Sequence, residues 1–191
     1  MKNSIKENYI MKNNIFCIAI ALFVSLATAN AQLPVHLDLG AGGGVSMPTG
    51  TLSNGDNTGY HVGAKGRVSG IMPMNILAAV NYSRLPNKVG GETDVIVSAS
   101  AGLEYPIPSV LIKPYFGVDL MYNSLSNTGA GSTTSSRFGT GLGGGVMFAL
   151  PGVGDIDASL KYQILNLTGK NPNEDTISQI ALNVSLMFGV I

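Results

Sequence analysis

The stretch TISQIALNVSLMFGVI, residues 176–191, alternates between two kinds of side chain. One set of alternate positions is apolar: Ile180, Leu182, Val184, Leu186, Phe188 and Val190. The other set is small, polar or flexible: Gln179, Ala181, Asn183, Ser185, Met187 and Gly189. Successive side chains of a β-strand point to opposite sides, whereas a helix repeats its apolar positions every three or four residues. The stretch therefore predicts a strand with one apolar and one polar face.

The same alternation recurs along the chain, and no helical periodicity is found after residue 32. Eight strands are predicted: Val35–Met47, Gly59–Val68, Asn75–Arg84, Glu92–Tyr105, Leu111–Asn123, Ser136–Leu150, Ile156–Leu167 and Thr176–Ile191. A tilted strand needs about 9 to 11 residues to cross a bilayer, and several of the predicted strands are longer than this. The fold class predicted is all-β, an eight-stranded antiparallel up-and-down transmembrane β-barrel.

The connections between the predicted strands alternate between two classes. Those after strands two, four and six are short and contain proline, as at Pro151-Gly152, whereas the others are polar and mostly longer, as at 49–58 and 126–135. In bacterial barrels the short turns face the periplasm and the long loops face outward. Eight of the nine prolines map to connections or strand starts, and Pro114, inside the fifth predicted strand, is the exception.

Charge is sparse, and this decides which face should meet lipid. Only 12% of the residues are charged, about half the usual fraction in soluble domains of about 25%. A surface that faces water carries many charges of both signs, but the polar face here consists mostly of Gly, Ser, Asn and Thr. We therefore expect the apolar face to contact lipid and the polar face to fill the lumen. A soluble ligand-binding barrel, with the faces reversed, is the alternative.

The few charges on the polar face are balanced in sign, and they form a predicted lumen charge network. The network comprises Asp38, Lys65, Arg67, Glu104, Lys113, Asp119, Asp157 and Lys161. In a simple meander Glu104 would oppose Lys113 across a turn, and Asp38 would reach Arg67 or Lys65. Buried charges need partners, and an eight-stranded barrel is just wide enough for side chains to fill. A wide water channel is therefore not expected.

Aromatic residues on the apolar face sort by height into two predicted girdles. Those at the loop ends of their strands are Tyr60, Tyr82, Tyr122 and Phe138, and those at the turn ends are Tyr105, Phe148 and Phe188. Aromatic side chains concentrate at the two membrane–water interfaces of such barrels.

The first 31 residues have the order of a cleavable secretory signal. Lys2, Lys6 and Lys12 precede the apolar run 15–27, and Ala29-Asn30-Ala31 follows it. We expect cleavage between Ala31 and Gln32, with Met11 as a possible true start, which leaves 32–191 as the barrel domain. The single cysteine, Cys17, lies within the signal.

At several points the chain resembles the bacterial outer-membrane protein β-barrel domain family, in its eight-stranded form. The resemblance rests on the stretch from Gly40 to Gly50, GAGGGVSMPTG, on TGYHVGAKG from Thr58, and on VNYSRL from Val80. It implies location in the bacterial outer membrane, contact with outer-membrane lipid, and recognition by the outer-membrane assembly machinery during biogenesis. The family commonly ends on an aromatic residue, whereas this chain ends on Ile191.

No catalytic, cofactor-binding or metal site is predicted. The glycine runs 40–44 and 139–145 are not followed by the Gly-Lys-Ser/Thr of a phosphate loop, and His36 and His61 lie at opposite heights. His61 with Ser53 and Asp56 is the one local group that resembles a Ser–His–acid set, and loop polarity explains it better. Without the signal the chain keeps eight basic and ten acidic residues, so no nucleic-acid partner is expected.

The function that follows is a non-enzymatic integral outer-membrane barrel with a structural or envelope-integrity role. Two alternatives stay open at this stage. One is a narrow porin-like channel for small solutes, and the other is surface binding or adhesion through the loops at 49–58 and 126–135.

Overall fold

A computed structural model describes residues 35–108, 112–129, 134–172 and 174–190. The predicted signal peptide and both candidate start residues lie outside this part of the chain. The strands are β1 His36–Gly50, β2 Gly59–Ser69, β3 Asn75–Pro86, β4 Thr93–Pro106, β5 Lys113–Asn127, β6 Ser135–Leu150, β7 Gly154–Thr168 and β8 Ile177–Gly189. Each pairs antiparallel with its neighbours in sequence, and β8 pairs with β1 to close the barrel. The predicted fold class is confirmed.

Two local features differ from the sequence prediction. A short helix, α1 Leu52–Gly55, lies in the first loop, where no helix was predicted because a single turn leaves no periodic pattern. Pro114 is no exception to the proline rule, since β5 begins at Lys113. Pro48 instead lies within β1, at a level where β1 pairs only with β8 because pairing with β2 stops at Ser46. A missing N–H is tolerated beside an unpaired strand edge. Among the described residues, no helix is long and apolar enough to cross a membrane.

The barrel wall has its apolar side outward, as predicted. The side chains of Val80, Leu120, Leu142 and Val184 are 54%, 72%, 63% and 52% exposed. Polar side chains on the opposite parity are buried, and they include Ser98, Asn123, Ser159, Gln163 and Ser185. This arrangement reverses that of a soluble barrel, because burial of the apolar face in lipid provides the hydrophobic stabilisation.

A bulge in β7 modifies the wall near the loop end. Phe138 pairs with Thr168, whereas Thr140 pairs with Ile164, so the register shifts between them. As a result both Leu165 and Asn166 are buried, although neighbours in a regular strand would point to opposite faces. The register shift turns Asn166 inward as well, because Leu165 keeps the parity of the inward-facing Asp157 and Gln163.

Candidate functional site in the barrel lumen

An ionic cluster fills the turn end of the lumen, and Arg67 on β2 lies at its centre. Arg67 Nε donates to Glu104 Oε2 on β4 at 2.7 Å, and Arg67 Nη2 donates to Asp157 Oδ2 on β7 at 2.5 Å. All three side chains are 1% exposed or less. Because β2, β4 and β7 are not neighbours, these ion pairs connect the barrel wall across its interior.

Two further side chains complete this turn-end cluster. Lys65 Nζ lies 2.9 Å from Asp157 Oδ2. Tyr115 on β5 donates its hydroxyl to Asp157 Oδ1 at 2.7 Å, and the Arg67 guanidinium lies 5.2 Å from the centre of the Tyr115 ring. The cluster therefore carries two positive and two negative charges, which is the balance that a lumen shielded from water requires.

Glycines on the inner face make room for these side chains. A Cβ at Gly145 would lie 2.6 Å from the Tyr115 hydroxyl oxygen, and one at Gly102 would collide with the Asp119 carboxylate. The alternating glycines of β6 therefore create space in a narrow barrel. This is the structural role expected from the sequence.

The structure corrects the two ion pairs expected from a simple meander. Glu104 is opposite Gly117 and not Lys113, because β4 and β5 pair with Pro106 opposite Tyr115, which makes their connection longer than a turn at 106–110. Lys113 is exposed at the start of β5. Asp38 is opposite Arg67 in the β1–β2 register, but the guanidinium bonds to Glu104 and Asp157 instead. Within the described ranges, neither Asp38 nor Lys113 is part of an ion pair.

A polar cavity of 60 Å³ lies above the turn-end cluster, in the middle of the lumen. Lys161 Nζ donates to Asp119 Oδ2 at 2.6 Å on its wall. Asp119 Oδ1 and Gln179 Oε1 are buried without a hydrogen-bond partner among the described residues. Each water needs about 10 to 15 Å³ of such a cavity, so the cavity has room for about five waters. These waters would donate hydrogen bonds to the two acceptors.

His61 also lines the cavity, and it does not join Ser53 and Asp56. Ser46 Oγ lies 3.0 Å from His61 Nδ1, and His61 Nε2 lies 3.3 Å from Asn183 Oδ1. This Ser–His–Asn chain differs from a serine hydrolase triad, in which the serine faces Nε2 and a carboxylate binds Nδ1. Ser46 is 0% exposed and His61 is 5% exposed, so no substrate larger than water can reach the hydroxyl.

An apolar cluster closes the loop end of the lumen. Its buried members are Leu85, Ile96, Met121 and Leu165, and the partly buried Leu52, Leu125 and Ile177 pack against them. Leu52 comes from the short helix α1, so the first loop contributes to this closure. We call these residues the apolar plug.

The seven predicted girdle residues are all exposed on the outer face. The girdles contain two aromatic pairs. Tyr122 and Phe138 lie near the loop end with 5.3 Å between ring centres, and Tyr105 and Phe116 lie near the turn end with 5.4 Å. Phe116 was not predicted, because Pro114 obscured the alternation of its strand.

The mouth of the barrel, outside the apolar plug, contains a pocket of 340 Å³. Its floor includes Leu52, Leu125 and Ile177, and its rim includes a bidentate pair. Arg137 Nε and Nη2 donate to the two carboxylate oxygens of Glu174 at 3.1 and 2.8 Å. Hydrogen bonds from Arg137, and further ones from Asn166 and the Asn171 backbone, lower the pKa of Glu174 to about 2.

Asp56, in the loop between β1 and β2, lies against the loop between β3 and β4. It bridges to Asn87 and is 5% exposed. Burial, together with the neighbouring Asp94 carboxylate, raises the pKa of Asp56 to about 7. Two carboxylates this close cannot both ionise without cost, so the local structure favours a protonated Asp56.

Sequence reasoning missed Tyr115, the Ser46–His61–Asn183 chain and the apolar plug. The parity of β5, on which Tyr115 shares a face with Asp119, was the available signal for the first. The other two depend on which side chains meet across the closed barrel. Alternation along single strands cannot give that information.

Comparison with known proteins places this geometry among known barrels. Residues 16–188 match the family described as outer membrane protein beta-barrel domain. The crystal structure of Neisserial surface protein A aligns over 80% of this chain and 95% of that chain, with a TM-score of 0.60 and 22% identity. A major outer membrane protein from Thermus thermophilus aligns over 80% of this chain and 99% of that one, with a TM-score of 0.51 and 14% identity. No curated protein sequence matches.

Proposed function

The chain belongs to the outer membrane protein beta-barrel domain family, and from this premise we propose that it serves the envelope as a closed, non-conducting barrel. Its role in this proposal is structural: the wall is stabilised by lipid outside and by the side chains that fill the lumen inside. The protein is an integral barrel of the bacterial outer membrane.

The observation that carries the proposal is the double closure of the lumen. Arg67, Glu104 and Asp157 close the turn end, and the apolar plug closes the loop end. The cavity between them, 60 Å³, has room for only about five waters. A porin-like channel would require a continuous aqueous path along this axis.

Planar-bilayer recording tests the closure. The wild-type barrel should give no stepwise current, and a variant that opens both ends, Arg67→Ala with Leu85→Ser and Leu165→Ser, should give one. Each protein is first checked for the gel-mobility difference between boiled and unboiled samples that a folded barrel shows. Steady stepwise conductance of the wild type would refute the closed barrel and favour the channel.

The proposal includes the absence of catalysis, and the burial of Ser46 supports it. A serine hydrolase must present its hydroxyl to substrate, whereas Ser46 is 0% exposed. A fluorophosphonate that labels active serines should not modify the folded protein, so incubation with it should add no mass to either wild type or Ser46→Ala. Covalent labelling of wild type that is lost in Ser46→Ala would overturn this part.

Export is proposed to remove residues 1–31. The order of basic, apolar and small residues supports cleavage before Gln32. The intact mass of the protein purified from outer membranes tests it, because the mature chain should begin at Gln32 whether translation starts at Met1 or at Met11. A mass that includes any of residues 1–31 would contradict it.

Surface binding at the mouth is a second candidate, favoured by the pocket of 340 Å³. Its size falls in the range of small-molecule sites, about 300 to 1,000 Å³. If the pocket binds a ligand on another surface, cells that display the Leu52→Asp variant should attach to that surface less than cells that display the wild type. Leu52 lies in the floor of the pocket. Unchanged attachment, with the variant at normal surface levels, would exclude the pocket.

A further inference from the structure

The outer face of the barrel carries a single charged side chain among the strand residues that the structure describes. The eight strands contain twelve charged residues, and eleven of them lie on the inward parity. The exception is Arg84 on β3. Tyr82 and Arg84 alternate with the buried Ser83 and Leu85, so Arg84 lies on the lipid-facing side.

The height of Arg84 places it at the outer headgroup level. It is opposite Tyr60 on β2 and Val95 on β4, and Tyr82, two residues earlier, belongs to the loop-end girdle. Aromatic girdles mark the boundary between hydrocarbon and headgroups. Arg84 lies one two-residue repeat beyond the girdle residue Tyr82, so its charge is in the headgroup layer. A lipid-facing arginine costs little free energy at that depth.

Arg84 has no protein partner in the described part of the chain. The basic residues in ion pairs there are Lys65, Arg67, Lys161 and Arg137. Asp94, on the adjacent strand, lies on the inward parity. The nearby Lys88 bends away to the first loop, where its ammonium donates to the Ser53 carbonyl oxygen at 2.5 Å. A guanidinium with five donors is thus left facing the lipid.

We propose that Arg84, flanked by Tyr60 and Tyr82, binds a phosphate of the phosphorylated glycolipid in the outer leaflet. A guanidinium pairs with phosphate through two parallel hydrogen bonds. The two tyrosine rings pack beside the acyl chain and sugar, as aromatic residues do at this depth. The inference rests on the proposed outer-membrane barrel, in which the long loops face outward.

Native mass spectrometry of the full barrel tests the proposal. Wild type, Arg84→Gln and Arg84→Lys are incubated separately with lipid A that carries both phosphates, with dephosphorylated lipid A, and with phosphatidylglycerol. Wild type should retain the phosphorylated lipid A preferentially. Arg84→Gln should lower that retention by about tenfold, the order of magnitude for a lost hydrogen bond to a charged group, and Arg84→Lys should keep an intermediate share.

The control is Lys170→Gln, which removes a basic residue from the loop between β7 and β8 at the same end of the barrel, where its ammonium donates to Thr176 Oγ1 at 2.8 Å. It should leave lipid retention unchanged. Equal retention by wild type and Arg84→Gln would overturn the proposal, and so would an equal loss of phosphatidylglycerol, which would indicate a general phospholipid contact. The boiled and unboiled gel mobilities report barrel folding separately, so failure of the lipid site is distinguishable from failure of the barrel.

Discussion

Arg67 shows how one buried residue connects three strands of the wall. Replacing it by Ala leaves Glu104 and Asp157 without their guanidinium partner, although Lys65 still contacts Asp157. Removing one partner of a buried ion pair lowers the stability of a protein by about 3 to 5 kcal/mol. We expect Arg67→Ala to lower the free energy of unfolding by about this amount, as measured by denaturant titration in lipid vesicles.

The control for Arg67 is Lys113→Ala, because Lys113 is exposed at the start of β5. It should leave the unfolding midpoint unchanged. Equal midpoints for the two variants would show that the turn-end cluster does not stabilise the barrel.

The sequence identified which charged residues face inward but not which of them form ion pairs. Six of the eight predicted lumen charges are in ion pairs, and they connect strands that are not adjacent. Such partners depend on strand tilt and on the stagger of the closed barrel. Asp38 and Lys113, both near strand ends at the turn side, were assigned to the network from parity and from the register of a simple meander.

The first loop, which connects β1 and β2, is expected to respond to pH through Asp56. Its folded pKa of about 7 lies above its ordinary value of 3.8, so the ordered loop binds the proton more tightly than a disordered one. The proton on Asp56 therefore stabilises the ordered loop fully below about pH 3.8, and this stabilisation is lost as the pH rises to about 7. Amide exchange across residues 51–59, corrected for intrinsic rates, should be faster at about pH 8 than at about pH 5.

Asp56→Asn should remove this pH dependence and keep the loop protected at about pH 8. Asp175→Asn, an exposed acid in the fourth loop, serves as the control and should leave the pH dependence intact. A loop that exchanges equally at both pH values in the wild type would refute the role of Asp56.

The strands themselves were predictable because lipid on one side and a filled lumen on the other impose strict alternation. All eight predicted starts lie within two residues of the observed ones, in agreement with the strength of this pattern. The ends were less accurate, since β5 extends to Asn127 through Ser and Asn residues that read equally well as loop. The helix α1 and the β7 bulge remained hidden, because a single helical turn leaves no periodic pattern and two extra residues leave the parity of β7 unchanged.

The apolar outer face predicts how the stability of the barrel responds to a charged residue on its outer wall. Val184 is 52% exposed and lies near the middle of β8, opposite Gly43 and Ala158. Val184→Arg should lower the free energy of unfolding in vesicles by about 2 to 4 kcal/mol, the cost of arginine at the bilayer midplane.

Val190→Arg, beyond the turn end of β8, should cost only about 0 to 1 kcal/mol. The same experiment on both variants compares the two depths directly. If Val184→Arg were as stable as wild type, the apolar wall could not be in contact with hydrocarbon.

Fractionation of cells that express the chain tests its assignment as an integral outer-membrane barrel. After lysis and density-gradient separation of the membranes, the protein should be found with the outer membrane and should resist extraction by alkaline carbonate. Recovery in the soluble periplasmic fraction would contradict the account.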